Sequence, residues 1–312
     1  MNYLFLMDPL EKVSPEKDTT LALMLGAHRK GHTVYYVPKN GVSHSPEQTL
    51  FDAVEVVPDK SVNPPFQIKQ KLQLNQDQVD ALFIRTEPPF DEQYLIDTWL
   101  LDDLAKRIPV INNPTGIRTV NEKIWASQFK EIVPKTLITH SKEQFREFLE
   151  EQKQVILKPT DGFGGQSVFS LLVEDTNADV AFESITHYGQ KHVVVQQYIE
   201  ASKKGDKRIL LLDGEPLGAV LRISEKGHRN NFLSGGKPVK TDISDNDLKI
   251  IDLLKPHLKK LGLYFVGIDI IGDYLIEVNV TSPTCLQEMN RLYDQQLEDE
   301  VIHFVENFQN FL

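Results

Sequence analysis

A single cysteine, Cys285, occurs in 312 residues, so no internal disulfide can form and a reducing cytosol is the expected compartment. No apolar run approaches the length of a membrane span. The start, MNYLFLMD, lacks the basic flank of a secretory leader and reads as a first strand. Positive charge is in deficit: 34 Lys and Arg against 45 Asp and Glu leave a net charge of −11. That balance argues against nucleic acid and anionic membranes as partners, while leaving room for a local basic cluster around a small anion. Two common nucleotide fingerprints are missing, since neither GxGxxG nor GxxxxGK[ST] occurs. Gly235-Gly236-Lys237-Pro238 resembles the end of the second but lacks its Ser or Thr. No local signature marks a nucleophile, and Cys285 is expected to be a buried, inert thiol.

What remains is an ordinary globular composition, 40% hydrophobic with 17 Gly and 17 Pro, long enough for two or three structural units. In the first third, short apolar runs at 3–7, 33–37, 54–57, 81–84 and 110–111 alternate with helical spacing over 19–30 and 92–106. This alternation predicts an α/β unit with a mostly parallel sheet covered on both faces. Residues 58–78, rich in Pro, Gln, Asn and Lys, show no period and are expected to be a surface excursion. Ligands of such sheets sit beyond the strand ends, which singles out Asp8 and the stretch 84–91. There Arg85 is either a bidentate clamp for a carboxylate or a surface arginine opening a turn.

In the middle third a helix is expected over 117–129, containing Asn121-Glu122-Lys123, and Ser141 caps another running to about 151. The run 155–159 then ends in Lys158-Pro159 and leads through Asp161-Gly162-Phe163-Gly164-Gly165-Gln166-Ser167 directly into a further strand. A strand–glycine loop–strand can lie over a triphosphate and offer backbone N–H groups to it. Lys158 at its base, with Lys123, would add point charges. The run 193–200, VVVQQYIE, is a core strand or a hinge whose backbone reads an adenine edge.

In the last third a hairpin turns at Asp213-Gly214-Glu215-Pro216 and carries Arg208 and Arg222, with a register that leaves their relative faces open. The stretch EKGHRNNFLSGGKP, with Arg229, Asn231 and Lys237, is a candidate lid or a plain surface loop. An amphipathic helix is expected over 245–261, and a final one over 286–311, broken near Tyr293. Between them lies the most informative stretch, VGIDIIGDYLIEVNVTSPT. A hairpin with a three-residue turn at 272–274 sets Asp269 opposite Glu277 and Gly267 opposite Asn279. Val266, Ile268, Ile270, Ile276, Val278 and Val280 then fill the other face. Three oxygen-bearing side chains converge, a set suited to Mg²⁺ and phosphates or to a solvated polar face.

Taken in order, NEK, ILKP with DGFGGQS, VVQQYIE, GDKRIL and VGIDIIGD…IEVNVTSPT resemble the ATP-grasp superfamily and, within it, bacterial-type glutathione synthetase. The likeness spans essentially the whole chain. It implies an α/β fold (α+β overall) of three parts: a Rossmann-like parallel-sheet domain at 1–121, a small central lid domain at 122–199, and an antiparallel-sheet domain at 200–312. It implies ATP-dependent joining of γ-glutamylcysteine to glycine through an acyl phosphate, with two Mg²⁺ or Mn²⁺ ions on Asp269, Glu277 and Asn279. ATP would be held by Lys123, Lys158, Gly162, Phe163, Gly164, Gly165, Gln196, Gln197, Tyr198, Ile199 and Asp206. Arg208, Arg222, Arg229 and Asn231 would flank the reacting centre, and Arg85, Arg222, Ser282, Pro283 and Thr284 would bind substrate. A homo-oligomer with no nucleic-acid or membrane partner is also implied. The 225–237 loop departs from the family by about one residue, with Lys237 where an arginine is usual. Another ATP-grasp ligase, of the D-alanine–D-alanine or glutamate-adding type, and a non-catalytic ATP-binding regulator are the rival readings.

Overall fold

The first strand, β1 (Asn2–Met7), is buried along nearly its whole length, as a continuous apolar run in a two-sided sheet requires. The structure, a computed structural model, describes residues 1–162, 164–224 and 235–308. Strand β1 sits between β2 (Thr33–Pro38) and β6 (Ala81–Ile84), both parallel to it, and β7 (Val110–Ile111) continues the parallel half. The other half is antiparallel: β4 (Thr49–Pro58) pairs β2, β3 (Val42–His44) and β5 (Phe66–Asn75). The sheet is thus mixed rather than mostly parallel. Helices α1 (Thr19–Arg29), α2 (Glu92–Leu100) and α3 (Pro114–Thr119) complete this part. Asp18 caps α1 by accepting from Leu21 N–H at 2.7 Å.

Two expectations change here. The stretch expected as an excursion contains β5, a ten-residue strand. Its middle side chains face solvent, so it carries no apolar alternation and is held by its backbone ladder to β4. Lys69 and Lys71 leave charge on this sheet edge, a common guard against edge-to-edge pairing. The helix expected over 117–129 is broken. Helix α3 starts with Pro114 at its first turn and stops before Val120. The Asn121 side chain then accepts from Lys123 N–H and Ile124 N–H at 3.1 and 3.0 Å. That local bond competes with helix and leaves Glu122 and Lys123 in a turn.

A second sheet has the order β10 (Phe169–Leu172), β9 (Gln154–Pro159), β11 (Val193–Gln197), β8 (Thr136–Thr139), all antiparallel. Helices α4 (Lys142–Gln152) and α5 (Ala178–Ile185) cover it, and stacked Phe145 and Phe182, 4.6 Å apart, centre its own core. Truncating either ring to alanine typically costs about 3–5 kcal/mol.

The third sheet is β14 (Lys237–Val239), β13 (Glu215–Ile223), β12 (Asp206–Leu212), β15 (Phe265–Ile271), β16 (Tyr274–Asn279), antiparallel throughout. Helices α6 (Asp245–Lys260), α7 (Leu286–Tyr293) and α8 (Leu297–Glu306) pack on it. The final helix breaks at Asp294, which takes a left-handed conformation. The first and third sheets share their cores. Leu4 and Leu6 cluster with Ile209 and Ile268, while Tyr3 and Phe5 cluster with Val220 and Val301. No helix among the described residues is long and apolar enough to cross a membrane.

Candidate active site

The acidic hairpin pairs Asp269 with Glu277 and Gly267 with Asn279, as its apolar pattern demands, but by another route. The turn is two residues, Gly272-Asp273, with Gly272 at a positive φ of 59°, the placement a type II′ turn favours. Straight counting from that turn would set Glu277 opposite Ile268, among the aliphatics. A β-bulge between Asp269 and Ile270 restores the register by leaving Ile276 as the extra residue. Leu275 therefore joins the core in place of Ile276, which lines a cavity beside Glu277. Gly267 leaves room for Pro283 and Arg208: an added Cβ would stand 3.0 Å from Pro283 Cβ and 3.2 Å from Arg208 Cδ.

Strands β12 and β13 repeat the device. Asp213 and Gly214 both take positive φ, 51° and 75°, as a two-residue type I′ turn requires. Counting straight from it would set Asp206 opposite Leu221. A bulge leaving Leu217 unpaired sets Asp206 opposite Arg222 instead, while Arg208 pairs Asp269 on β15. Asp206, Arg208, Arg222 and Asp269 thus share one face. Bulges recur beside active sites because they re-aim side chains.

These four groups form a buried ion network. Arg208 grips Asp269 with two donors, Nη2 to Oδ2 at 2.8 Å and Nε to Oδ1. Arg222 donates to both Asp206 oxygens at 2.8 and 2.6 Å and reaches Asp269 at 3.1 Å. Burial pushes the Asp269 carboxyl up, but the Arg208 and Arg222 guanidiniums outweigh it and hold the group well below the usual carboxylate range. A carboxyl depressed on folding stabilises the fold above its unfolded value, near 4, and loses that contribution as pH falls. The urea midpoint should therefore drop progressively below about pH 4, with a shallower acid slope in Asp269→Asn. An equal slope in both would take Asp269 out of the acid response. Asp206 runs the other way, since burial raises it further than Arg222 lowers it.

The lysines face the acids. Lys158, at the end of β9 and 4% exposed, lies 3.5 Å from Glu277 Oε1 and donates to Gln196 Oε1 at 3.4 Å. Burial pulls its ammonium down, against the attraction of Glu277. Lys123 Nζ donates to the Gly162 carbonyl and stands 3.9 Å from Glu277, tying the NEK turn to the glycine loop. Gly164 and Gly165 take φ of 61° and 72°, conformations few other residues adopt.

All of this lines one cavity of about 510 Å³ between the three sheets. Every described residue that the family resemblance assigned to the site reaches it: Arg85, Lys123, Lys158, Gly162, Gly164, Gly165, Gln196 to Ile199, Asp206, Arg208, Arg222, Asp269, Glu277, Asn279 and Ser282 to Thr284. Phe163, Arg229 and Asn231 lie outside the described residues. Asp8 is not among the lining residues; it accepts from Glu87 N–H at 2.8 Å and pairs Lys39, pinning two strand ends together. Arg85 is no surface residue, being 3% exposed, with Nη2 donating to the Pro283 carbonyl at 2.9 Å. Cys285 is buried, and burial pushes its thiol up, consistent with an inert group.

The model of the prokaryotic glutathione synthetase N-terminal domain matches residues 1–118, and that of the same family's ATP-grasp domain matches residues 122–294. The chain belongs to the prokaryotic glutathione synthetase family. Relatives named glutathione synthetase include one from Vibrio parahaemolyticus, 36% identical over 303 residues covering 96% of each chain. Another from Synechocystis is 40% identical over 317 residues, covering 98% of this chain and 99% of its own. Among solved structures, the D-cycloserine synthetase DcsG superposes with a TM-score of 0.68 at 14% identity, covering 98% of this chain and 99% of its own. The macrocyclase MdnC from Microcystis aeruginosa reaches 0.66 at 14% identity, covering 97% and 99%. At such identity the likeness is one of ATP-grasp fold alone.

The family's use of ATP with a divalent metal fits the donors present. Two carboxylates on opposed residues and the Asn279 side-chain amide, which donates to the Gly267 carbonyl at 3.2 Å and leaves its oxygen available, are hard oxygen ligands. Glu122 was not legible as a site residue, although it sits within NEK. Its Oε1 accepts from Val280 N–H, Thr281 N–H and Thr281 Oγ1 at 3.0, 3.2 and 2.8 Å, and its carbonyl accepts from Val278 N–H. One residue thus locks the strand carrying Glu277 and Asn279 to the turn carrying Lys123. Glu122→Ala should raise the metal concentration for half-maximal rate about tenfold, as loss of a group supporting metal ligands does. Glu122→Gln, which keeps an amide oxygen in place, should largely restore it. Equal metal dependence in wild type and Glu122→Ala would remove Glu122 from this role.

Proposed function

We propose that this chain joins γ-glutamyl-L-cysteine to glycine, forming glutathione as ATP is cleaved to ADP and phosphate. The observation that carries this reading is a single cavity in which two buried lysines face Glu277 on an acidic hairpin and two buried arginines hold Asp269 opposite it. Relatives named glutathione synthetase match it from end to end. Lys123 and Lys158 hold the phosphates, with Gly162, Gly164 and Gly165 over them. Gln196 to Ile199 border the adenine and Asp206 the ribose. The cysteinyl carboxylate attacks the γ-phosphorus and ADP leaves, giving an acyl phosphate. Arg208, Arg222 and Lys158 stabilise charge on the equatorial oxygens.

The amine of glycine, beside Ser282 to Thr284, then attacks the acyl carbon. Arg222 donates to the tetrahedral oxyanion, and phosphate departs as the amide forms. No protein nucleophile is needed, in keeping with the inert Cys285. Asp269, Glu277 and Asn279 would hold Mg²⁺ or Mn²⁺, two ions in our reading, and the metal would neutralise the phosphate oxygens. Enclosure excludes water, to which an acyl phosphate is labile. We assign the three functional parts to 1–121, 122–199 and 200–312. The separate core of the central sheet supports its moving as a lid, while the outer two parts share their cores.

ADP release measured with Mg-ATP and γ-glutamylcysteine, with and without glycine, tests this. Turnover that requires glycine is expected. Release independent of glycine, or none, would contradict it and favour a regulator or another ligase.

A further inference from the structure

Lys158 stands at the end of a row of polar side chains that begins outside the cavity. The lysine is buried and has two polar partners among the described residues. Glu277, on β16 of the third sheet, lies at 3.5 Å. Gln196, on β11 of the lysine's own sheet, accepts through Oε1 at 3.4 Å. The other end of that amide donates from Nε2 to Thr136 Oγ1 at 3.0 Å, and the Thr136 hydroxyl donates onward to the Pro134 carbonyl at 2.8 Å. Thr136 is opposite Gln196 across the β8–β11 ladder, and Gln196 is opposite Ile156, two residues before Lys158 on β9. Opposed residues, and residues two apart on a strand, share a face. Thr136, Gln196 and Lys158 therefore lie together on the face that looks away from the Phe145 and Phe182 core. Ile156, Lys158 and Gln196 line the cavity, whereas Thr136 is not among its lining residues.

Both ends of the row fix the buried Gln196 amide in one orientation. A carbonyl can only accept, so the Thr136 hydroxyl spends its proton on Pro134 and is left to accept from an N–H. An ammonium can only donate, so Lys158 needs the amide oxygen. Each constraint by itself turns Oε1 toward the lysine. Turned over, the amide would set its NH2 against the ammonium and face Thr136 with an oxygen that receives no proton. Glu277 does not replace this contact. It belongs to another sheet and, in the proposed reaction, serves the metal. Gln196 and Thr136 are built on the same four strands as the lysine. Side chains locked by such outer hydrogen bonds hold a site's geometry more closely than ligand contacts alone.

We propose that Thr136 is a positioning residue for the nucleotide: through the Gln196 amide it holds the Lys158 ammonium where the phosphates bind. This rests on the ATP site proposed above and deepens it. Thr136 touches neither nucleotide nor metal in that reading, and its effect passes through Gln196. Because the row lies within the central sheet, it keeps the lysine aimed wherever that sheet stands relative to the other two.

Calorimetric titration with Mg-ADP tests this in wild type, Thr136→Val and Thr136→Ser. Valine matches threonine in shape without the hydroxyl, and the dissociation constant should rise about tenfold, the scale of a hydrogen bond to a charged group. Serine keeps the hydroxyl and should restore wild-type binding. Lys158→Met removes the ammonium, so adding Thr136→Val to it should weaken binding by less than about twofold more. An unchanged constant in Thr136→Val would overturn the proposal. So would a full tenfold loss in the Lys158→Met background, which would mark the hydroxyl as acting on the fold at large. Should valine prevent folding, Thr136→Ala gives the same comparison. No binding of Mg-ADP by wild type would instead overturn the underlying ATP site.

Discussion

Asp269→Asn is expected to lower folding stability by about 3–5 kcal/mol, the usual cost of breaking a buried ion pair from one side, and kcat by roughly two to three powers of ten. Both losses come from one carboxylate. Asp269 lies between Arg208 and Arg222, all three 6% exposed or less. With Asp206 the network has two charges of each sign, so removing one acid leaves a net positive buried cluster. Asparagine keeps the shape and offers one acceptor, but cannot neutralise two guanidiniums. Urea denaturation beside steady-state kinetics would read the two effects separately. A variant as stable as wild type would mean the arginines are satisfied elsewhere.

Glu277→Gln should separate what Asp269 combines: kcat falls by roughly a hundredfold to a thousandfold, with stability within about 1 kcal/mol of wild type. Glu277 faces the same cavity, yet its side chain is 22% exposed and its lysine partners stand off at 3.5 and 3.9 Å. Contacts that loose contribute little to folding. In the proposed reaction that charge would hold cations where phosphate charge develops, and an amide there would be a much weaker ligand. A near-normal rate at saturating Mg²⁺ would show that Glu277 does not hold the metal.

The acidic face was legible because apolar residues on both strands constrain register more tightly than turn length does. The three-residue turn was a wrong route to a right pairing: a two-residue turn and one extra residue at Ile276 shift the register equally. Arg208 and Arg222 could not be placed, since their shared face depends on the bulge at Leu217, and a bulge leaves no periodic trace in sequence. Strand β5 escaped notice because its exposed middle has no apolar alternation. Glu122 was hidden for a different reason. It is an ordinary acid in sequence, and only the contacts across 158 residues give it a role.

In the proposed reaction the cavity transfers a phosphoryl group to the cysteinyl carboxylate before glycine attacks. Turnover of γ-glutamylcysteine carrying ¹⁸O in that carboxylate, with Mg-ATP and glycine, reads this transfer in the phosphate released. One ¹⁸O per glutathione formed should appear in inorganic phosphate. Phosphate released without label while glutathione accumulates would contradict an acyl phosphate.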